Sequence, residues 1–113
     1  MNERTKAILE HMLEDAQDII TFAEKTDSLE SFSKDRLLRK AVIMSLLNIG
    51  ELANHLSPGF TAAHDEVPWK SMIGMRNLAA HGYHIMNLDV IWDTVQNSIP
   101  ELLVFLKEQL GMF

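Results

Sequence analysis

Nine consecutive residues hold an arginine, an amide, two imidazoles and a phenol: Arg76, Asn77, His81, Tyr83 and His84, with Leu78, Ala79, Ala80 and Gly82 between them. A guanidinium stays charged at every working pH and offers a planar fork to phosphate oxygens, while an imidazole trades protons near neutrality. Those two groups are what RNA phosphodiester cleavage through the neighbouring 2′-hydroxyl requires: something to move protons, and a fixed cation where charge gathers on the phosphoryl oxygens. The same residue types also have a plain structural use. Arg76 could pair with an acid such as Glu51, and His81 could be a satisfied interior histidine.

The segment ahead of the cluster, Pro68-Trp69-Lys70-Ser71-Met72-Ile73-Gly74, predicts the first turns of a buried helix that continues through the cluster. At roughly 100° per residue, Asn77 and His81 share one face, so Asn77 is placed to orient the imidazole. Arg76 and His81 are five apart and diverge by roughly 140°, too far round one helix to grip a single small group. Either Gly82 ends the helix and frees His81, or a second copy of the chain supplies the missing partner.

Arg76, His81 and Tyr83 form an Arg-x4-His-x-Tyr pattern. With Ile49-Gly50-Glu51, Val67-Pro68-Trp69, Ile73-Gly74-Met75-Arg76-Asn77, Val90-Ile91-Trp92 and Ile99-Pro100-Glu101-Leu102 in order around it, the stretch from about 35 to 106 resembles HEPN-domain toxins of the HepT type. The resemblance implies a dimeric, HEPN-like bundle and a toxin of a type VII-like toxin-antitoxin pair. It implies metal-independent endoribonuclease activity at a dimer groove, with Arg76, His81 and Asn77 as catalytic residues and no cofactor. It further implies that Tyr83 is adenylylated by an antitoxin of the MntA type, a minimal nucleotidyltransferase. A charged nucleotide on Tyr83 would fill the site and repel RNA phosphate. The alternative is a dimeric helical binding module that docks a nucleotidyltransferase, or binds nucleotide or RNA, and cuts nothing.

The elements that must position these residues read as all-α. At 113 residues and 47% hydrophobic content, residues 1–113 make one domain with a single core. With no cysteine there is neither a disulfide framework nor a thiolate metal site. No apolar run approaches the ~20 residues of a membrane span, and the charged start is unlike a secretory signal, so a cytoplasmic protein is expected. A metal site through His55, His64, His81 and His84 is the competing chemistry, on weak spacing.

Periodicity predicts a first helix from Asn2 to Lys25, with Ile8, Met12, Ala16, Ile19 and Ala23 inward and Glu10, Glu14, Asp15 and Asp18 solvated. A second helix, capped by Ser33, is expected to reach Leu56, and its stretch Ala41–Leu47 is apolar on nearly all sides. That stretch is either the centre of the fold or a face buried against another subunit. Ser57-Pro58-Gly59 is expected to stop the helix and lead through a loop to Pro68. After the motif, Asn87 caps a last helix with Leu88, Ile91, Val95, Ile99, Leu102 and Leu106 inward. A kink or a break and restart is expected near Ser98, where Ser98-Ile99-Pro100-Glu101 reads as a capping box. Trp69, Trp92, Met44, Met72, Met75 and Met86 are read as core filler. Four main helices with short joints make an up-and-down bundle.

The net charge of −6 argues against a general nucleic-acid binder. The acids are concentrated, however: residues 1–30 carry eight of them against three bases, whereas 31–40 hold Lys34, Arg36, Arg39 and Lys40 against Asp35 alone. From Pro68 to His84 there is no acid. Arg36, Arg39, Lys40 and Lys70 are therefore candidate RNA contacts, or else they balance the acidic first helix.

Overall fold

The computed structural model describes residues 1–82 and 87–112, with the side chains of 78–82 left aside. α1 (Glu3–Ala23) begins where the Asn2 carboxamide accepts from the Thr5 N–H, and it buries Ile8, Leu9, Met12, Leu13, Ala16 and Ile19. The predicted inward stripe is buried from Ile8 to Ile19, while Ala23 at the helix end is half-buried. Its acidic face departs at one point: Asp15 is half-buried and hydrogen-bonded to Asn48.

The expected second helix starts later, at Arg36, and a short helix precedes it. Ser28 caps α2 (Leu29–Lys34) and Asp35 caps α3 (Arg36–Asn54), each accepting from a backbone N–H three residues on. Ser33 is not a cap. It lies in the last turn of α2, and its hydroxyl donates to the Glu30 carbonyl. Asp35 takes over because its extended backbone makes the corner between the helices. The Arg39 guanidinium donates back to the Ser33 carbonyl and ties that corner down.

Where a loop was expected, Ser57 caps α4 (Pro58–Ala63), with Pro58 in its first turn. α5 (Trp69–Gly82) follows, starting with Trp69 buried against Phe105. The chain's last described rod is composite: α6 (Leu88–Asp93), a π-helical turn over Thr94–Ser98, then α7 (Ile99–Gln109). Asn87 caps α6 as expected. Ser98 forms no cap, and both it and Ile99 stay helical. The N–H of Ile99 reaches the carbonyl of Thr94, five residues back, so a wide turn just ahead of Pro100 absorbs the missing donor without a break.

α3 is central, packed against both α1 and α5, while α7 closes the bundle over α1. Its core side holds Leu38, Val42, Ile43, Leu46, Ile49 and Ala53. Its other face is uncovered: Met44, expected inside, is 57% exposed and Leu37 79%. An apolar run all round a helix outnumbers the neighbours one bundle provides. Trp69 is buried, Trp92 stacks partly buried on Phe32, and Met72 and Met75 pack on the core, whereas Met86 falls outside the described residues. α1, α3, α5 and the composite rod are the four main helices of an all-α bundle measuring 42 × 31 × 20 Å.

Candidate catalytic site at the α3–α5 crossing

Gly50 decides where α5 lies. A Cβ built on it would stand 2.4 Å from the Arg76 Cβ and 2.6 Å from the Met72 carbonyl oxygen. No side chain fits there, so the two backbones approach as closely as helices can. The residue after Gly50 is Glu51, and the close approach brings its carboxylate against the Arg76 guanidinium.

Arg76 Nε donates to Glu51 Oε2 at 2.6 Å, and Arg76 Nη1 donates to Asn77 Oδ1, also at 2.6 Å. The second carboxylate oxygen of Glu51 faces His55 Nε2 at 3.3 Å. Glu51 and His55 are thus the surface pair that their i,i+4 spacing predicts, and Arg76 is a third member. The Arg76 side chain is 31% exposed and that of Glu51 41%, so the guanidinium is clamped yet open to solvent. The hydrogen bond and charge of Arg76 hold the Glu51 carboxyl below the usual carboxylate range, and His55 adds to this.

Sequence reasoning placed Asn77 beneath His81. The Asn77 carboxamide oxygen accepts from Arg76 Nη1; the expected contact with His81 falls outside the described side chains. His81 lies in the last turn of α5 and its side chain is outside the described set; Tyr83 and His84 lie outside the described residues altogether. Gly82 is still helical, so the backbone of His81 keeps helical register.

Of the basic residues, Lys70, Arg36 and Lys40 are exposed, whereas Arg39 is half-buried and engaged with Ser33. Of the four histidines proposed as a metal set, the two whose side chains are described have other neighbours. His55 faces Glu51, while His64 packs on Phe60 and Phe105 with Glu66 at 3.6 Å. Among the described residues, no three His, Cys, Asp or Glu side chains gather at metal-binding distance. Two roles were missed by sequence reasoning: that of Gly50 in letting α5 close on α3, for which a glycine inside a helical pattern is a signal, and that of Asn48 as the partner of Asp15.

A family model for ribonuclease HepT-like proteins matches residues 9–109. A candidate RNase of Caldanaerobacter subterraneus subsp. tengcongensis is 40% identical over 88% of this chain and 88% of its own length. A candidate RNase of Methanocaldococcus jannaschii is 39% identical over 84% of this chain and 78% of its own. One of Thermococcus cleftensis, described as a ribonuclease HepT, is 34% identical over 80% and 84%. No solved structure matches the chain significantly.

Proposed function

The chain belongs to the ribonuclease HepT-like family, and on that footing we propose that it is a toxin endoribonuclease whose cation is Arg76 and whose proton carrier is His81. The observation that carries the proposal is the placement of Arg76. It is a solvent-accessible guanidinium, fixed by Glu51 and Asn77 where α3 and α5 cannot part, five residues ahead of an imidazole on the same helix.

In the proposed reaction a histidine takes the proton of the 2′-hydroxyl, whose oxygen attacks the adjacent phosphorus. The P–O5′ bond breaks, leaving a 2′,3′-cyclic phosphate, and the departing 5′-oxygen is protonated. Arg76 stabilises the charge that builds on the non-bridging oxygens. Asn77 holds Arg76 in aim. No metal ion takes part in this scheme. Two copies of the chain supply an acid and a base, one His81 from each, and the uncovered face of α3 with Leu37 and Met44 supports pairing. Lys70, Arg36 and Lys40 contact the RNA backbone further out.

Silencing is by an antitoxin of the MntA type that adenylylates Tyr83, two residues past His81. The work is cytoplasmic; among the described residues no helix is long and apolar enough to cross a membrane.

Incubating the purified protein with total RNA in excess chelator tests the core of the proposal. Cleavage by the wild type, with cyclic-phosphate ends, and its loss in Arg76→Ala and His81→Ala is the expected result. Loss of wild-type cleavage in chelator with recovery on added zinc would refute the metal-free scheme. A second reading, a binding module that cuts nothing, is favoured by the Glu51 carboxylate, which already neutralises Arg76. RNA left intact by wild type and variants alike would select it.

A further inference from the structure

The first half of α5 has a second neighbour. Between α3, the start of α5, the π-helical turn and α7 lies a cavity of about 290 Å³. Its apolar wall includes Leu46, Ile49, Met72, Met75, Leu102 and Phe105, and Glu66 and Glu101, both exposed, also line it. No lysine or arginine stands among its lining residues. His64 Nδ1 lies 3.6 Å from Glu66, and among the described residues Glu101 has no ion-pair partner.

We propose that this cavity binds a small primary ammonium with an aliphatic or aromatic tail, the tail among Met72, Met75 and Phe105 and the cationic head at Glu66 and Glu101. Size selects a small molecule over a helix. The volume sits at the lower end of the ~300–1,000 Å³ range of ligand pockets, whereas a docked helix needs a trough roughly 10 Å wide along several turns. Charge selects the head group: two carboxylates with no lining lysine or arginine attract an ammonium and repel a carboxylate or phosphate, so the cavity is also unsuited to RNA. Methionine side chains adapt to the shape of the tail. Thr94 and Ser98, the two ends of the wide turn, add a hydroxyl each to the cavity lining. The inference does not rest on RNA cleavage.

Calorimetric titration of the full chain with n-hexylammonium, hexanol and hexanoate tests it. Saturable binding of hexylammonium is expected, weaker by about tenfold or more for hexanol and for hexanoate. Glu66→Gln with Glu101→Gln, both surface changes that leave the fold intact, should weaken hexylammonium by a similar factor and leave hexanol unchanged. Location is read from Trp69, whose ring centre lies 5.9 Å from that of Phe105, in a Trp92→Phe variant. Its emission should shift on saturation. Absence of saturable heat, equal affinity for all three compounds, indifference to the glutamine pair or an unmoved Trp69 emission would each overturn the assignment.

Discussion

α3 is flanked by two carboxylate contacts, one on each side, and the protein treats them oppositely. Toward α1, Asp15 is partly withdrawn from water and hydrogen-bonded to the neutral Asn48, with Asp18, Glu14 and His11 of its own helix nearby. Burial raises its pKa, and the Asn48 hydrogen bond offsets part of that. Toward α5, Glu51 meets a full positive charge, and Arg76 pulls its pKa down. The residue types are nearly the same; the partner decides the sign. A carboxylate facing an amide is a modest cost that the α1–α3 packing carries. One facing a guanidinium holds a cation in aim. The difference is what the proposed role of the α3–α5 crossing rests on.

Breaking the α5 side has the largest consequence. Arg76→Ala should lower RNA cleavage by roughly 10²–10³-fold, the usual loss when a preorganised charge stabiliser is removed. Thermal melting should change little, because the Glu51 left behind is 41% exposed and remains hydrated. Rates in gel-based RNA assays, read beside a melting curve, check both halves. If cleavage survives while the melting temperature collapses, Arg76 is a structural cation and the contrast drawn above fails.

Gly50→Ala attacks the same crossing through its packing. A methyl group 2.4 Å from the Arg76 Cβ must push α5 away, at about 2 kcal/mol or more of stability. Denaturant unfolding measures the loss, and cleavage should fall with it as Arg76 leaves Glu51.

The opposed pKa shifts give the next test. Glu51 is depressed, so its contribution to stability is present above the ordinary carboxylate range and disappears as pH falls through its lowered value. Asp15 is raised, so its contribution runs the other way: the folded state gains as pH falls through its elevated value. Glu51→Gln should therefore flatten the loss of stability on the acid side, and Asp15→Asn should remove the gain. Melting temperatures across the acid range, wild type against each variant, reveal whether the two slopes have opposite sign.

Smallest of all, Asp15→Asn at neutral pH should stabilise the fold by less than about 1 kcal/mol. Its uncharged amide still accepts from Asn48, and the relieved desolvation is small because solvent still reaches part of this half-buried side chain. A destabilisation larger than that would mean that the negative charge of Asp15 has a partner on the α1 side.

Much of the architecture was legible because long helices advertise themselves. The stripe from Ile8 to Ile19 and the one from Ile91 to Leu106 both recur at helical spacing, and both are buried. Short helices were harder to read. α2 and α4 have six residues each, too few for periodicity, and only Ser28 and the Ser57-Pro58 pair mark their starts. Ser33 reads as the cap of α3 although Asp35 holds that place, because both residue types suit the role and spacing does not choose between them. Met44 was assigned inward since hydrophobicity alone does not say which side of a central helix has a neighbour. At the site, the residue types were readable and their partners were not. The Glu51–Arg76 bond spans 25 positions, and it depends on a glycine whose value lies in what it leaves out.

The wide turn ahead of Pro100 has one more consequence. A helix that spends an extra residue in a single turn falls behind its own rotation, and everything beyond that point is offset relative to what precedes it. Ile91 and Leu106, on either side of the turn, both face the interior with the turn in place. Replacing the imino acid with alanine would thus tempt the rod to rewind into regular form, and Leu102, Phe105 and Leu106 would swing sideways together; the fault would appear as a twist of the carboxyl-terminal third, with its helical content intact.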